Sequence, residues 1–142
     1  MSSSFEIRDP IHGPIQLSAE ELRVADSAYV QRLRRIKQTG FAELAFPGAT
    51  HNRYTHSLGA FHLAGRAFDH IFADFNFGPD SERLKFRNYL RMGALLDDVG
   101  HGPLSHAIEQ AMPPRSEVMS VLGGDPKSLQ GQASHEDYTQ LI

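Results

Sequence analysis

Apolar and polar residues alternate through "FEIRDPIHGPIQL", residues 5–17, and then the alternation stops. A period of two belongs to a strand, and Pro10, Gly13 and Pro14 exclude helix. The stretch predicts a short β-hairpin or an extended arm. From Ser18 the period lengthens, and Ser18 with Glu21 makes a capping box for "AEELRVAD". "AYVQRLRRIKQTG" predicts a second helix that stops at Gly40, with basic residues in its last turns, where the helix dipole favours them. After the loop "FPGATHNR", Leu58, Phe61, Gly65, Phe68, Phe72 and Phe75 recur at steps of three and four. That spacing predicts a long helix from about Tyr54 to Phe75. A second stripe of Ala60, Leu63, Ala67 and Ile71 makes it apolar on more than one side, and so central.

"GPDS" breaks the chain before a helix predicted from about Ser81 to Asp98. Residues 112–134 are rich in Gly, Pro and Ser and predict a loop with at most one short turn, after which "HEDYTQLI" restarts a helix. That helix reaches Ile142 without a capping residue, so a truncated chain is expected. The expected organisation is one all-α domain over residues 1–142. It has an N-terminal arm (1–17), a helical core (18–111), a loop (112–134) and the start of a final helix (135–142).

Composition narrows the chemistry. At 142 residues and 40% hydrophobic content the chain can bury a real core. A net charge of -3 argues against a general nucleic-acid binder. No apolar run approaches the roughly 20 residues that span a bilayer, and "MSSSFEIRD" lacks the apolar core of a secretion signal. A cytoplasmic location is expected. With no cysteine, any metal must be held by imidazole and carboxylate.

Those groups converge in "GALLDDVGHGPLSH", residues 93–106. An apolar helix delivers Asp97 and Asp98 side by side toward the interior. Burying an ionised carboxylate costs several kcal/mol or more unless a cation, a hydrogen-bond network or a proton compensates it. Adjacent helical residues diverge by about 100°, so both aspartates can face one centre only near a helix end, which Gly100 supplies. Alternatively, one aspartate takes a buried arginine such as Arg91 and the other meets water. His56 shares a helix face with Ala60, Leu63 and Ala67, as a metal ligand or as a satisfied core histidine. Beyond the turn at Gly102 and Pro103, His106 and Glu109 stand at i, i+3. That spacing is common on surfaces, and it also suits a general acid whose imidazolium a carboxylate supports. His135 beside Glu136 is ambiguous on its own. Gln38 and Arg53 flank turns from which either can reach a polar ligand.

"RDPIHGPIQL", "QRLRRIKQTG", "FPGATHNRYTHSLGAFHLAG" and "ALLDDVGHGPLSH" together resemble successive motifs of the HD-domain phosphohydrolases. They are most similar to the branch that contains the deoxynucleoside triphosphate triphosphohydrolases, and "SHEDYTQLI" extends the match. The resemblance implies an all-α HD-domain fold and a divalent metal held in an H…HD…D pattern. His56 matches the first ligand and Asp98 the aspartate of the pair. It further implies substrate contacts at Arg53 and Gln38, the latter reading the sugar, and catalytic roles for His101, His106, Glu109 and His135. Asp97 stands where the family has histidine, and the family's last metal aspartate lies downstream of the point where this chain ends. An oxygen ligand at Asp97 favours Mg²⁺ or Mn²⁺ over Fe²⁺ or Zn²⁺, or else marks an impaired site.

The expected function is therefore metal-dependent hydrolysis of nucleotides, most closely of deoxynucleoside triphosphates. The alternatives are an HD-fold nucleotide-binding or regulatory module with impaired catalysis, and a phosphodiesterase or phosphatase acting on other nucleotides. Asp26, Gln31 and Arg34 match positions that, in the resembling triphosphohydrolases, bind a guanine nucleotide at a subunit contact. A homo-oligomer is implied with them. As side chains they are also ordinary on an exposed helix.

Overall fold

The computed structural model describes residues 4–123 and 130–142. The arm is a hairpin: β1 (Phe5–Asp9) pairs antiparallel with β2 (Gly13–Leu17), Phe5 opposite Leu17 and Ile7 opposite Ile15. Asp9 shapes the turn, its Oδ1 accepting from the backbone N–H of Ile11 at 2.9 Å and of His12 at 2.8 Å. The alternation then aims Ile15 and Leu17 into the core, where both are buried.

Helices make up the rest. The capping box forms at α1 (Ala19–Ala25): Glu21 N–H donates to Ser18 Oγ at 3.2 Å, and Ser18 N–H donates to Glu21 Oε2 at 2.8 Å. The second helix is shorter than its sequence predicts. α2 spans Ala28–Arg32, followed by one 3-10 turn over Leu33–Arg35, and Ile36 is already extended. Tertiary pairing wins here: Arg53 N–H donates to Ile36 C=O at 2.9 Å and Gln38 N–H to His51 C=O at 3.1 Å. Ile36 is buried by that turn.

Asn52 caps α3 (Arg53–Ile71), its Oδ1 accepting from Thr55 N–H at 3.0 Å. α4 (Asp80–Leu96) lies antiparallel to it, with Asp69 bonded to Arg87 and Gly65 against Arg91. Only one of the two predicted stripes on α3 is core. Leu58, Phe61 and Phe68 are buried, whereas Leu63 is 47% and Ile71 69% exposed. The helix also stops four residues before Phe75, and Phe72, Phe75 and Phe77 fold into an aromatic cluster over Phe68 instead.

The predicted loop 112–134 contains α5 (Arg115–Met119) and a 3-10 turn at Ser120–Leu122, and a bridge between Pro114 and Gln132 closes it; its residues 124–129 lie outside the described residues. α6 (His135–Leu141) starts where the sequence predicts, with Ser134 N–H donating to Asp137 Oδ2 at 3.0 Å. The fold is thus all-α with a two-stranded N-terminal hairpin. Among the described residues no helix is long and apolar enough to cross a membrane.

Candidate functional site

The end of α4 and the first turn of α3 meet at Asp98. Its carboxylate is buried, with Arg53 Nη1 2.9 Å from Oδ2 and His56 Nε2 3.8 Å from the same oxygen. Oδ2 nevertheless lacks a well-aimed hydrogen bond, so the arginine is at ion-pair distance without an N–H pointed along the contact. Arg53 is itself buried, and both Nε and Nη2 donate to Ser105 Oγ. Ser105 Oγ in turn donates a hydrogen bond to the C=O of Gln38 at 3.0 Å. The Gln38 side chain keeps a buried Oε1 with no partner.

Asp97 does not join this centre. It continues the αR geometry of α4 (φ -51°, ψ -44°) and is exposed. α4 ends at Leu96, but Asp97 keeps helical dihedrals, so the roughly 100° divergence of neighbours still applies and only Asp98 is buried. The expected buried pair is therefore one buried and one exposed aspartate. Nor does Arg91 serve either of them. It bonds Glu21 through Nε at 2.8 Å and Gln16 C=O through Nη2 at 2.8 Å, and lies over the Phe61 ring at 3.8 Å.

A second cluster lies beside Asp98. His101 Nε2 is 3.4 Å from Asp98 Oδ1, and its ring stacks on that of His135 at 3.7 Å between centroids and an 11° tilt. His106 meets both rings edge-on. Glu109 Oε1 lies 2.6 Å from His135 Nδ1 and 3.2 Å from His106 Nδ1. One carboxylate oxygen thus holds two imidazoles. His106 and Glu109 lie on a 3-10 turn (Ser105–Ala111), while His135 opens α6.

Burial, reinforced by the positive charge of Arg53, pushes the His101 imidazole down to about 4; Asp98 opposes this only in part. At neutral pH His101 is uncharged, and its contact with Asp98 is a polar contact rather than an ion pair. For Glu109, burial alone would raise the carboxyl pKa, but the hydrogen bonds from His135 and His106 outweigh it and lower it.

Two residues that the sequence reading passed over hold the loop between these clusters. Arg32 Nη2 donates to the C=O of Val99 and, at 2.8 Å, of His101. Thr139 Oγ1 accepts from Gly100 N–H and donates to Asp97 C=O, each at 3.0 Å. Only the basic run "QRLRR" hinted at the first, and nothing in the sequence marks the second. Of the proposed regulatory set, Arg34 Nε donates to Gln31 Oε1 at 2.7 Å and its guanidinium lies 3.7 Å over Tyr54. Asp26 is exposed at the end of α1 and bonds neither of them among the described residues.

Beside Asp98 the donors suit a divalent ion. His56 Nε2 and Asp98 Oδ2 are 3.8 Å apart, close to the spacing of two ligands each about 2.0–2.2 Å from one metal. The buried oxygen without an aimed donor is the kind of orphan that a cation satisfies.

Fold and site thus define a helical domain with a histidine–aspartate centre flanked by a buried arginine and a carboxylate-held histidine pair. Known proteins share its sequence. The chain is 43% identical over 103 residues to the uncharacterized protein MJ1154 of Methanocaldococcus jannaschii, covering 72% of this chain and 20% of that one. It is 41% identical over 107 residues to the human deoxynucleoside triphosphate triphosphohydrolase SAMHD1, covering 72% and 16% respectively. The uncharacterized protein YwfO of Bacillus subtilis is 37% identical over 111 residues, covering 78% and 25%. No protein-family model matches the chain. Over these residues the chain resembles the HD-domain phosphohydrolases, in the branch that contains the deoxynucleoside triphosphate triphosphohydrolases. It spans a quarter or less of the length of these relatives.

Proposed function

We propose that this domain is the catalytic HD domain of a divalent-metal-dependent hydrolase of deoxynucleoside triphosphates. The observation that carries the reading is the buried Arg53–Asp98 pair with His56 beside it, next to two imidazoles held by one carboxylate. His56 and Asp98 would hold the ion. When bound, it supplies Lewis-acid polarisation of a phosphate oxygen and a lowered pKa for an attacking water. The remaining steps belong to the side chains. Arg53, fixed in place by Ser105, offers its guanidinium to the phosphoryl oxygens and stabilises the charge that develops on them. His106 and His135, held through Nδ1 by Glu109, present Nε2, from which a proton passes to the leaving oxygen. Gln38 carries an unpartnered amide oxygen that suits a sugar hydroxyl.

A second reading, a nucleotide-binding module with impaired catalysis, draws on Asp97, which is exposed where the resemblance implies a ligand. Asp26, Gln31 and Arg34 complete the proposal as a guanine-nucleotide site at a contact between copies, in a cytoplasmic homo-oligomer. The test is metal content of the purified full-length protein with release of inorganic triphosphate from a deoxynucleotide panel. Ribonucleotides and cyclic dinucleotides serve as the comparison. Triphosphate release with Mg²⁺, Mn²⁺ or Fe²⁺ that Arg53→Ala abolishes supports the hydrolase. Nucleotide binding without turnover in any metal supports the second reading and removes the first.

A further inference from the structure

We infer that His101, His106, Glu109 and His135 form a separate site for a zinc-class divalent ion, distinct from the pair His56 and Asp98. Each of the four offers one ligand atom, and these atoms all lie within 4.8 Å of one another. Among the described residues this is the one such group of three or more.

The spacing is already near that of a filled site. Bonds of about 2.0–2.1 Å in a tetrahedral zinc site put neighbouring donors about 3.3 Å apart. Glu109 Oε1 stands 3.2 Å from His106 Nδ1 and 2.6 Å from His135 Nδ1. The ligand atoms as a set lie within 4.8 Å, and closing them around one ion requires the stacked His101 and His135 rings to rotate until their in-plane lone pairs converge. A second observation points the same way. His101 is buried, its Nε2 faces Asp98, and its Nδ1 has no hydrogen-bond partner. With the ring proton on Nε2 toward Asp98, Nδ1 keeps a lone pair without a donor, and a cation can take it.

Donor chemistry chooses the ion. Imidazoles with one carboxylate suit Zn²⁺, Co²⁺, Ni²⁺ or Cu²⁺, whereas Mg²⁺ demands oxygen ligands and retained water. Two histidines and a glutamate also hold the metal in some zinc hydrolases. Here the ion would take the Nδ1 atoms that Glu109 now holds. With the ion on Nδ1, giving up the Nε2 proton would leave an imidazolate instead of a neutral imidazole, so the occupied histidines are poor acids and a zinc-class ion inhibits any hydrolysis that needs them. That last clause rests on the hydrolase reading; the binding itself does not.

The experiment is calorimetric titration of the metal-stripped full-length protein with ZnCl₂ and with MgCl₂, repeated with Co²⁺ while its visible absorption is recorded. The variants are His106→Ala, Glu109→Gln and His135→Ala, with His56→Ala as the comparison. His106 has a 65% exposed side chain, so its loss leaves the fold intact. The inference expects a Zn²⁺ event that Mg²⁺ does not compete away, weakened by about tenfold or more in His106→Ala and Glu109→Gln. It should be unchanged in His56→Ala, and bound Co²⁺ should show the intense absorption of a tetrahedral site. Zn²⁺ binding that survives His106→Ala and Glu109→Gln, or that vanishes in His56→Ala, overturns it. If Zn²⁺ binds as expected but no nucleotide is hydrolysed, the hydrolase reading fails and the site stands.

Discussion

Arg53 is 2% exposed and faces a carboxylate that is 7% exposed. Two charges at that depth are balanced chiefly by each other, with Ser105 accepting from Arg53 and the His56 and His101 rings beside Asp98. Truncating the arginine strands Asp98, which costs about 3–5 kcal/mol in comparable buried pairs. Urea unfolding of Arg53→Ala should show a loss of that order. Arg53→Ala combined with Asp98→Asn should recover part of it, because the neutral amide no longer needs a cation. Equal stability of the single and double variants would show that the pair is not coupled.

His101 brings a pH dependence whose sign follows from its depressed value. Unfolded, the imidazole titrates near 6.5; folded, near 4. Between those values the unfolded chain binds more protons, so stability rises with pH. The contribution is complete above about 6.5 and is lost as the pH falls toward 4. The melting temperature of the metal-free protein should therefore drop across that window. His101→Asn should flatten the drop, and an unchanged slope would remove the assignment.

At the scale of elements, α6 carries His135 into the site by resting on Gly100. A Cβ there would come within 2.0 Å of His135 C=O and 2.4 Å of Thr139 N, so no side chain fits while α6 stays docked. Gly100→Ala should release α6, seen as faster amide exchange over residues 135–141. Thr139→Val keeps the packing but removes two hydrogen bonds and should cost about 1–2 kcal/mol. Glu21 has a comparable double task, closing the cap of α1 and pairing with Arg91. Ser18→Ala loses the cap alone, about 1 kcal/mol. Glu21→Gln keeps an acceptor for the cap but strands a buried arginine, so it should be the more destabilising of the two by denaturant titration.

The same elements show what a sequence can reveal. A capping box identified the start of α1, apolar spacing that of α3, and the end of the Gly-, Pro- and Ser-rich run that of α6, because each of these signals is local. What failed depends on partners far along the chain. Ile36 is pulled out of helix by pairing with the segment before α3, about which "RRIKQTG" says nothing. Leu63 and Ile71 look like core because periodicity reports an apolar stripe, not what lies against it. The site divides in the same way. His101, His106, Glu109, His135, Arg53 and Asp98 were readable as chemistry-bearing types, and the fold gathers them. Asp97 is exposed because its helical dihedrals keep it about 100° around the axis from the buried Asp98. Ser105, Arg32 and Thr139 acquire importance only through contacts with distant backbone.

For the molecule as a whole, ion binding is coupled to folding, since a preformed donor set does not exist in the unfolded chain. An ion at a hundred times its dissociation constant adds about 2.7 kcal/mol. Mn²⁺ should raise the melting temperature of the intact protein, and His56→Ala should abolish the rise. A shift that persists in His56→Ala would place the ion elsewhere.

The arginine from α2 that grips the carbonyls of Val99 and His101 also has a meaning in time. It closes a span of 67 residues with one side chain. Loop-closure entropy makes such a contact unfavourable until intervening segments have shortened the distance, here by α3 and α4 folding back on each other. The helical hairpin must therefore come first, and the turn that presents His101 can set only around an existing frame. Conversely, the turn cannot loosen without undoing contacts at both ends of that span. The amide of Gly100, bonded to Thr139 on its other side, should exchange with solvent only when the whole molecule unfolds. The chemistry-bearing turn would then be among the last parts to form and among the most reluctant to open.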